Sequence, residues 1–242
     1  NNVHFLGQID NVYPLIKNSI ATISTSLWED PGAVMIESSY CKKISIVDHK
    51  KYNLVDGRDV QRMYDDQKPN FVFHLAAQSS VPLSLTNFYK SSTNNIESSL
   101  KVFEFSKQFS APIVYASSSA VYGNLPLGDD QKEKFSITSP YAQDKLTVEH
   151  YAKIAFEIFN TPSVGLRLFN VYGPGQRSNS PYSAVIPIFI NRMLKKLPVI
   201  INGGFQTRDF IYVQDVVNVI LLSMKKTPFL IGFDVDIGIL FR

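Results

Sequence analysis

Four short stretches, ISIV (44–47), FVFHLA (71–76), IVYASS (113–118) and VGLRLF (164–169), are aliphatic or aromatic on nearly consecutive residues. A strand with one face in water alternates apolar and polar side chains, so runs of this kind require cover on both faces. Helical periodicity separates or follows them, near residues 59–67, 93–109, 140–159, 183–196 and 214–225, and PVII (198–201) is a fifth strand candidate. Strands alternating with helices build a parallel sheet sandwiched between helical layers. At 242 residues, 45% apolar and 19% charged, the chain can bury such a core in one large α/β domain or a domain and a half.

Ligands of open parallel sheets sit at the carboxyl ends of the strands, and here those ends carry the polar residues. FVFHLAAQSS runs into small residues, IVYASSSAVYG into three serines, and VGLRLFNVYGPG into Asn170 and a Gly-Pro turn. Other chemistries find little support. The net charge of +3 is spread along the chain with no basic run, which argues against a nucleic-acid partner. His4, His49, His74 and His150 have no metal-ligand spacing, and no metal site is expected. Ser118 is not in a nucleophile-elbow pattern. No apolar run reaches the ~18 residues of a membrane span. A single cysteine, Cys41, and the lack of a signal peptide suit a cytoplasmic protein. The chain begins Asn-Asn and stops on GILFR directly after an apolar run, so both ends read as cut.

SPYAQDK (139–145) sets Tyr141 four residues ahead of Lys145. Chance supplies roughly one such pair in a chain of this composition, and Tyr13/Lys17 and Tyr64/Lys68 share the spacing. The surroundings separate them. Ser139-Pro140 is a helix start, and SSS (117–119) ends a strand shortly before it. A tyrosine of pKa near ~10 needs help to act as a base at neutral pH. A lysine one helical turn on lies on the same face and favours the phenolate. A strand-end serine can hold a substrate hydroxyl in line. Tyr13 precedes a proline, and Tyr64 lies in MYDDQK with no serine-ended strand before it.

These residues carry a resemblance. FVFHLAAQSSV, NNIESSL, YASSSAVYG, SPYAQDK, LRLFNVYGPGQ and GGFQTRDFIYVQDVV follow one another as in the extended short-chain dehydrogenase/reductase family, in its nucleotide-sugar epimerase/dehydratase branch. The resemblance covers about residues 50–238. It implies a Rossmann-like parallel sheet, incomplete here at both ends, with a small substrate-side region. It implies NAD as cofactor and a nucleotide-diphosphate sugar as substrate. Tyr141 is then the acid/base, Lys145 binds the nicotinamide ribose, and Ser118 positions the substrate hydroxyl. Leu75, Ala76 and Ala77 line the dinucleotide with Asn95 nearby, and Asn53 and Leu54 stand at the adenine contact, Asn53 where the family has Asp. Asn170 and Arg208 hold the diphosphate, guanidinium suiting phosphate oxygens. The family's dehydratases carry Thr-Asp-Glu where this chain has Ser118, Ser119 and Ala120, which favours plain inversion of a sugar carbon, as in a UDP-hexose 4-epimerase, over elimination. The family also pairs two copies through the helix that carries the tyrosine, and a homodimer of that kind is expected here.

The family's Gly-x-x-Gly-x-x-Gly turn, whose helix amino terminus holds the pyrophosphate, is missing: ahead of residue 70 stand only Gly7, Gly32 and Gly57. Residues 1–47 instead resemble the donor-binding half of a retaining, two-Rossmann-domain glycosyltransferase, with Glu29 and Glu37 of WEDPGAVMIE matching that family's paired glutamates at the donor site. The expected division is therefore 1–47 and 48–242, with three functional readings: an NAD-dependent epimerase, a catalytically silent chain unable to hold NAD, or a glycosyltransferase fragment.

Overall fold

The computed structural model describes residues 20–24, 43–47, 50–125, 135–179, 183–201, 203–205, 207–226 and 234–237. Glu29, Glu37 and Cys41 lie outside the described residues. Six strands, β1 (Ile20–Ser24), β2 (Lys43–Val47), β3 (Val72–His74), β4 (Ile113–Ser118), β5 (Ser163–Leu168) and β8 (Asp234–Ile237), form one sheet in the order β2-β1-β3-β4-β5-β8. Every pairing in it is parallel, so all six carboxyl ends share one edge. A separate parallel pair joins β6 (Asn170–Tyr172) to β7 (Phe210–Tyr212).

The α/β reading of the sequence holds, and the structure corrects it in detail. No strand forms over 198–201, and β1 and β8 are strands that the periodicity does not single out. β1 and β2 fall within residues 1–47, yet both hydrogen-bond into the sheet that holds β3, β4 and β5.

The consecutive apolar residues of the strands serve two layers, as successive side chains point to opposite faces. Val72, Ile113 and Tyr115 pack with Val60, Met63 and Tyr64 of α1 (Gly57–Gln67), Val102 and Phe103 of α4 (Ser98–Phe109), and Val148, Ala152 and Ala155 of α5 (Pro140–Phe159). Phe73, Val114, Val164 and Leu166 face the other way, onto Val216 and Ile220 of α7 (Val213–Lys226). Two short helices, α2 (Val81–Thr86) and α3 (Phe88–Ser92), lead into a π-helical turn over Thr93–Glu97, and α6 (Val185–Leu194) follows β6.

Helix ends follow local chemistry. Asp56 caps α1 by accepting from the Arg58 amide at 2.8 Å, and Ser139 caps α5 by accepting from the Ala142 amide at 3.2 Å. Pro140 fills the first position of α5, where its missing N–H costs nothing. α1, α4 and α5 each stop at a residue in the left-handed region, Lys68, Ser110 and Asn160. Tyr64/Lys68 thereby shows its structural fate. Tyr64 is buried with its hydroxyl 3.1 Å from the Val102 carbonyl and 2.6 Å from Ser106 Oγ, while Lys68 terminates the helix with an exposed side chain.

Candidate active site

The site is built where β4 ends and α5 begins. Ser118 is the last residue of β4, in extended conformation, and its Oγ accepts from the Ala120 amide at 3.2 Å, capping a tight turn over Ser119–Tyr122. A hydroxyl carries one proton and two lone pairs, so this bond leaves the Ser118 proton to donate outward. The turn closes at Gly123, whose φ of +57° lies in the left-handed region. A Cβ there would stand 1.6 Å from the Ser136 carbonyl oxygen. We expect Gly123→Ala to destabilise the fold by on the order of 2 kcal/mol, strain and overlap adding, read as a lowered thermal midpoint.

Tyr141 is the second residue of α5 and Lys145 follows one turn later; both are buried. Lys145 Nζ lies 5.9 Å from the centroid of the Tyr141 ring and donates to the Ala116 carbonyl at 2.7 Å. The ammonium is thus tied to β4 two residues before Ser118. The structure brings Ser118, Tyr141 and Lys145 to the same edge of the sheet, as the sequence predicts.

Beside them lies a second buried layer. The Asn95 side chain accepts from the Gln78 amide at 2.7 Å and donates to the Gln78 carbonyl at 3.0 Å and to Asp144 Oδ2 at 3.1 Å. Ser92 donates to Asp144 Oδ1 at 2.7 Å, and Gln78 Nε2 donates to Ser91 Oγ at 2.8 Å. Asn95 therefore clamps the segment that leaves β3 through Leu75, Ala76 and Ala77, and the π-helical turn is what delivers it. Burial raises the Asp144 carboxyl above the usual Asp range, against the pull of Ser92, Asn95 and Lys145. His74 ends β3 with its Nε2 3.0 Å from Ser99 Oγ; burial, and secondarily the Lys145 charge, push its pKa down to about 3, so it stays neutral.

Asn53 and Leu54 lie in the turn before α1. The Asn53 amide donates to Asp59 Oδ2 at 2.8 Å, its Oδ1 accepts from the Val55 amide at 3.1 Å, and Leu54 packs on the core. Asn170 opens β6 and donates through Nδ2 to the Asp209 carbonyl at 2.8 Å, which places it one residue from Arg208 across the β6–β7 pair. Arg208 is exposed, its Nη1 2.7 Å from the Thr207 carbonyl.

Two residues escaped the reading of the sequence. Glu149, one turn beyond Lys145, and Arg167, on β5, form a buried pair: Nη2 to Oε2 at 2.7 Å and Nε to Oε1 at 3.0 Å. Ser117 donates to Glu149 Oε1, and Arg167 Nη1 donates to Tyr122 Oη at 3.2 Å. Burial works against the guanidinium charge, but Glu149 overrides it and holds the Arg167 pKa above its ordinary value. The available signal was a cation inside the apolar run VGLRLF.

A family model described as the NAD dependent epimerase/dehydratase family matches residues 33–238. The chain belongs to that family. Among curated relatives, the "uncharacterized UDP-glucose epimerase YtcB" of Bacillus subtilis is 36% identical over 170 residues, covering 69% of this chain and 52% of its own length. Among solved epimerase structures, the UDP-N-acetylglucosamine 4-epimerase of Methanobrevibacter ruminantium, in complex with UDP-N-acetylmuramic acid, is 36% identical with a TM-score of 0.75, covering 94% of this chain and 71% of that one. The UDP-glucose 4-epimerase of Thermus thermophilus, in complex with NAD, is 27% identical with a TM-score of 0.78, covering 90% and 77%. The chain spans about half the length of the curated relatives it matches. No described helix is long and apolar enough to cross a membrane.

Proposed function

We propose that this chain works as an NAD-dependent nucleotide-sugar epimerase of the UDP-hexose 4-epimerase kind. The observation that carries the proposal is the buried Tyr141 and Lys145 on one turn of α5, with Lys145 tied to β4 just before Ser118. Similarity to UDP-sugar 4-epimerases points to the substrate class.

The nicotinamide end of the cofactor suits the residues present: a buried ammonium, a buried phenol, and a small-residue loop after β3 fixed by Asn95. Lys145 would hold the ribose hydroxyls, and Leu75, Ala76 and Ala77 would line the dinucleotide. NAD, when bound, takes a hydride from a sugar carbon and can return it to the opposite face. Everything else falls to the chain. Tyr141 Oη takes the proton of the sugar hydroxyl and gives it back; the Lys145 cation steadies the phenolate between these events. Ser118 donates to the same hydroxyl oxygen and keeps it in line. Asn170 and Arg208 would hold the diphosphate. The buried carboxylates beside the site, Asp144 and Glu149, are engaged by Ser92 and Asn95 and by Ser117 and Arg167, which suits inversion better than elimination.

In this proposal residues 48–242 form the epimerase unit and residues 1–47 supply two strands to its sheet. Tyr151, Ile154 and Ile158, exposed along one side of α5, would be the contact of a homodimer in a reducing cytoplasm.

One observation favours a second reading, a catalytically silent chain. Between β1 and β2, where the family places its glycine-rich turn, the sequence has one glycine, Gly32. Titration calorimetry with NAD separates the two. Saturable binding at micromolar NAD, with interconversion of UDP-glucose and UDP-galactose, supports the epimerase; no detectable binding supports the silent chain.

A further inference from the structure

We infer that the buried Glu149–Arg167 pair is a positioning device for Ser118. The inference rests on the epimerase reading for its catalytic consequence, though not for its geometry.

Ser117 and Arg167 are cross-strand partners on β4 and β5, and Glu149 reaches both from α5. The Glu149 carboxylate accepts from Ser117 Oγ and takes the guanidinium fork through both oxygens. The same guanidinium donates to Tyr122 Oη, with its Cζ 5.3 Å from the Tyr122 ring centroid and 5.1 Å from that of Phe135. Ser118 therefore lies between two tethers, Ser117 immediately before it and Tyr122 four residues after it. Both run to one ion pair. Lys145 adds a third hold at the Ala116 carbonyl. Glu149 and Lys145, one turn apart on the helix that carries Tyr141, thus grip successive residues of the strand that ends in Ser118.

Stability alone does not account for the arrangement. Withdrawing two charges from water is costly, and replacing a buried ion pair by apolar side chains of similar volume is often neutral or stabilising. An apolar trio could bind β4, β5 and α5 together, but could not fix the direction of the Ser117 hydroxyl or the Tyr122 phenol. A bidentate fork fixes both its own plane and its partner's. The geometry assigns Glu149 and Arg167 a directional role, with Ser118 held against Tyr141 as the result.

The test uses the full 242-residue chain carrying Glu149→Met together with Arg167→Leu, so that no charge is left buried alone. A crystal structure of the variant gives the distance from Ser118 Oγ to Tyr141 Oη. We expect it to change by roughly 1 Å, a displacement that costs on the order of 100-fold in kcat, while KM for UDP-glucose stays within about twofold. A Ser118 that keeps its place overturns the inference, whatever the turnover. A rise in KM at unchanged kcat overturns it too. If the unaltered chain turns over no nucleotide sugar, the epimerase reading fails while the crystallographic distance still decides the positioning. Should the pair variant not fold, Ser117→Ala with Tyr122→Phe cuts both tethers and leaves the ion pair intact. A loss of about tenfold in kcat with unchanged KM, accompanied by a displaced Ser118, supports the inference, and an unmoved Ser118 overturns it.

Discussion

Tyr141→Phe is expected to reduce epimerisation by on the order of 10³-fold, within the range that general acid–base groups contribute, and to leave nucleotide-sugar affinity nearly unchanged. The substitution removes one oxygen and keeps the ring. The ring is buried at the start of α5 with the Lys145 ammonium 5.9 Å from its centroid, so the helix start and the Lys145–Ala116 bond should survive. What goes is the phenol that, in the epimerase reading, meets the sugar hydroxyl one turn from a tethered ammonium. The loss should therefore appear in kcat, with the calorimetric Kd for UDP-glucose within about twofold of the parent, because an interaction made only in the transition state lowers kcat without weakening ground-state binding. A variant retaining near-parental turnover would remove Tyr141 from the mechanism and leave only the fold in common with epimerases.

The parts of this molecule legible in its sequence are those that local chemistry decides. Ser139-Pro140 starts α5 and Asn160 ends it, so the predicted span 140–159 is the observed one. The consecutive apolar residues of IVYASS go to both faces of a covered sheet, while Val164, Leu166 and Leu168 of VGLRLF share one face. Tyr141/Lys145 and Tyr64/Lys68 have the same spacing, and the serine-ended strand before the first goes with a buried pair tied to that strand, while the second supplies a core ring and a helix cap. PVII shows the limit. Its side chains have strand propensity, but a strand exists through its neighbour's hydrogen bonds, and Ile200 and Ile201 lie about two-thirds exposed outside any ladder. α2 and α3 are too short to show a period, and rest on Ser80 and Asn87 caps. Glu149 and Arg167 were hidden for another reason. Their pairing joins positions 18 residues apart across a strand and a helix, and the cation inside the apolar run VGLRLF marks Arg167 without pointing to the carboxylate that meets it.

Removing one member of that pair should be among the costliest single changes to stability in the chain. Arg167→Met keeps much of the aliphatic volume but leaves the Glu149 carboxylate buried with Ser117 as its remaining partner. Stranding a buried charge in this way costs about 3–5 kcal/mol, which in a chain of this size lowers the thermal midpoint by roughly 10 °C. Denaturant melts of both proteins check this, and adding Glu149→Met should recover most of the loss because the stranded charge is then gone. Parental stability in the single variant would mean that another cation has taken up Glu149, Lys145 and Lys153 each standing four residues from it along α5, and that the pair with Arg167 was not what kept this carboxylate inside.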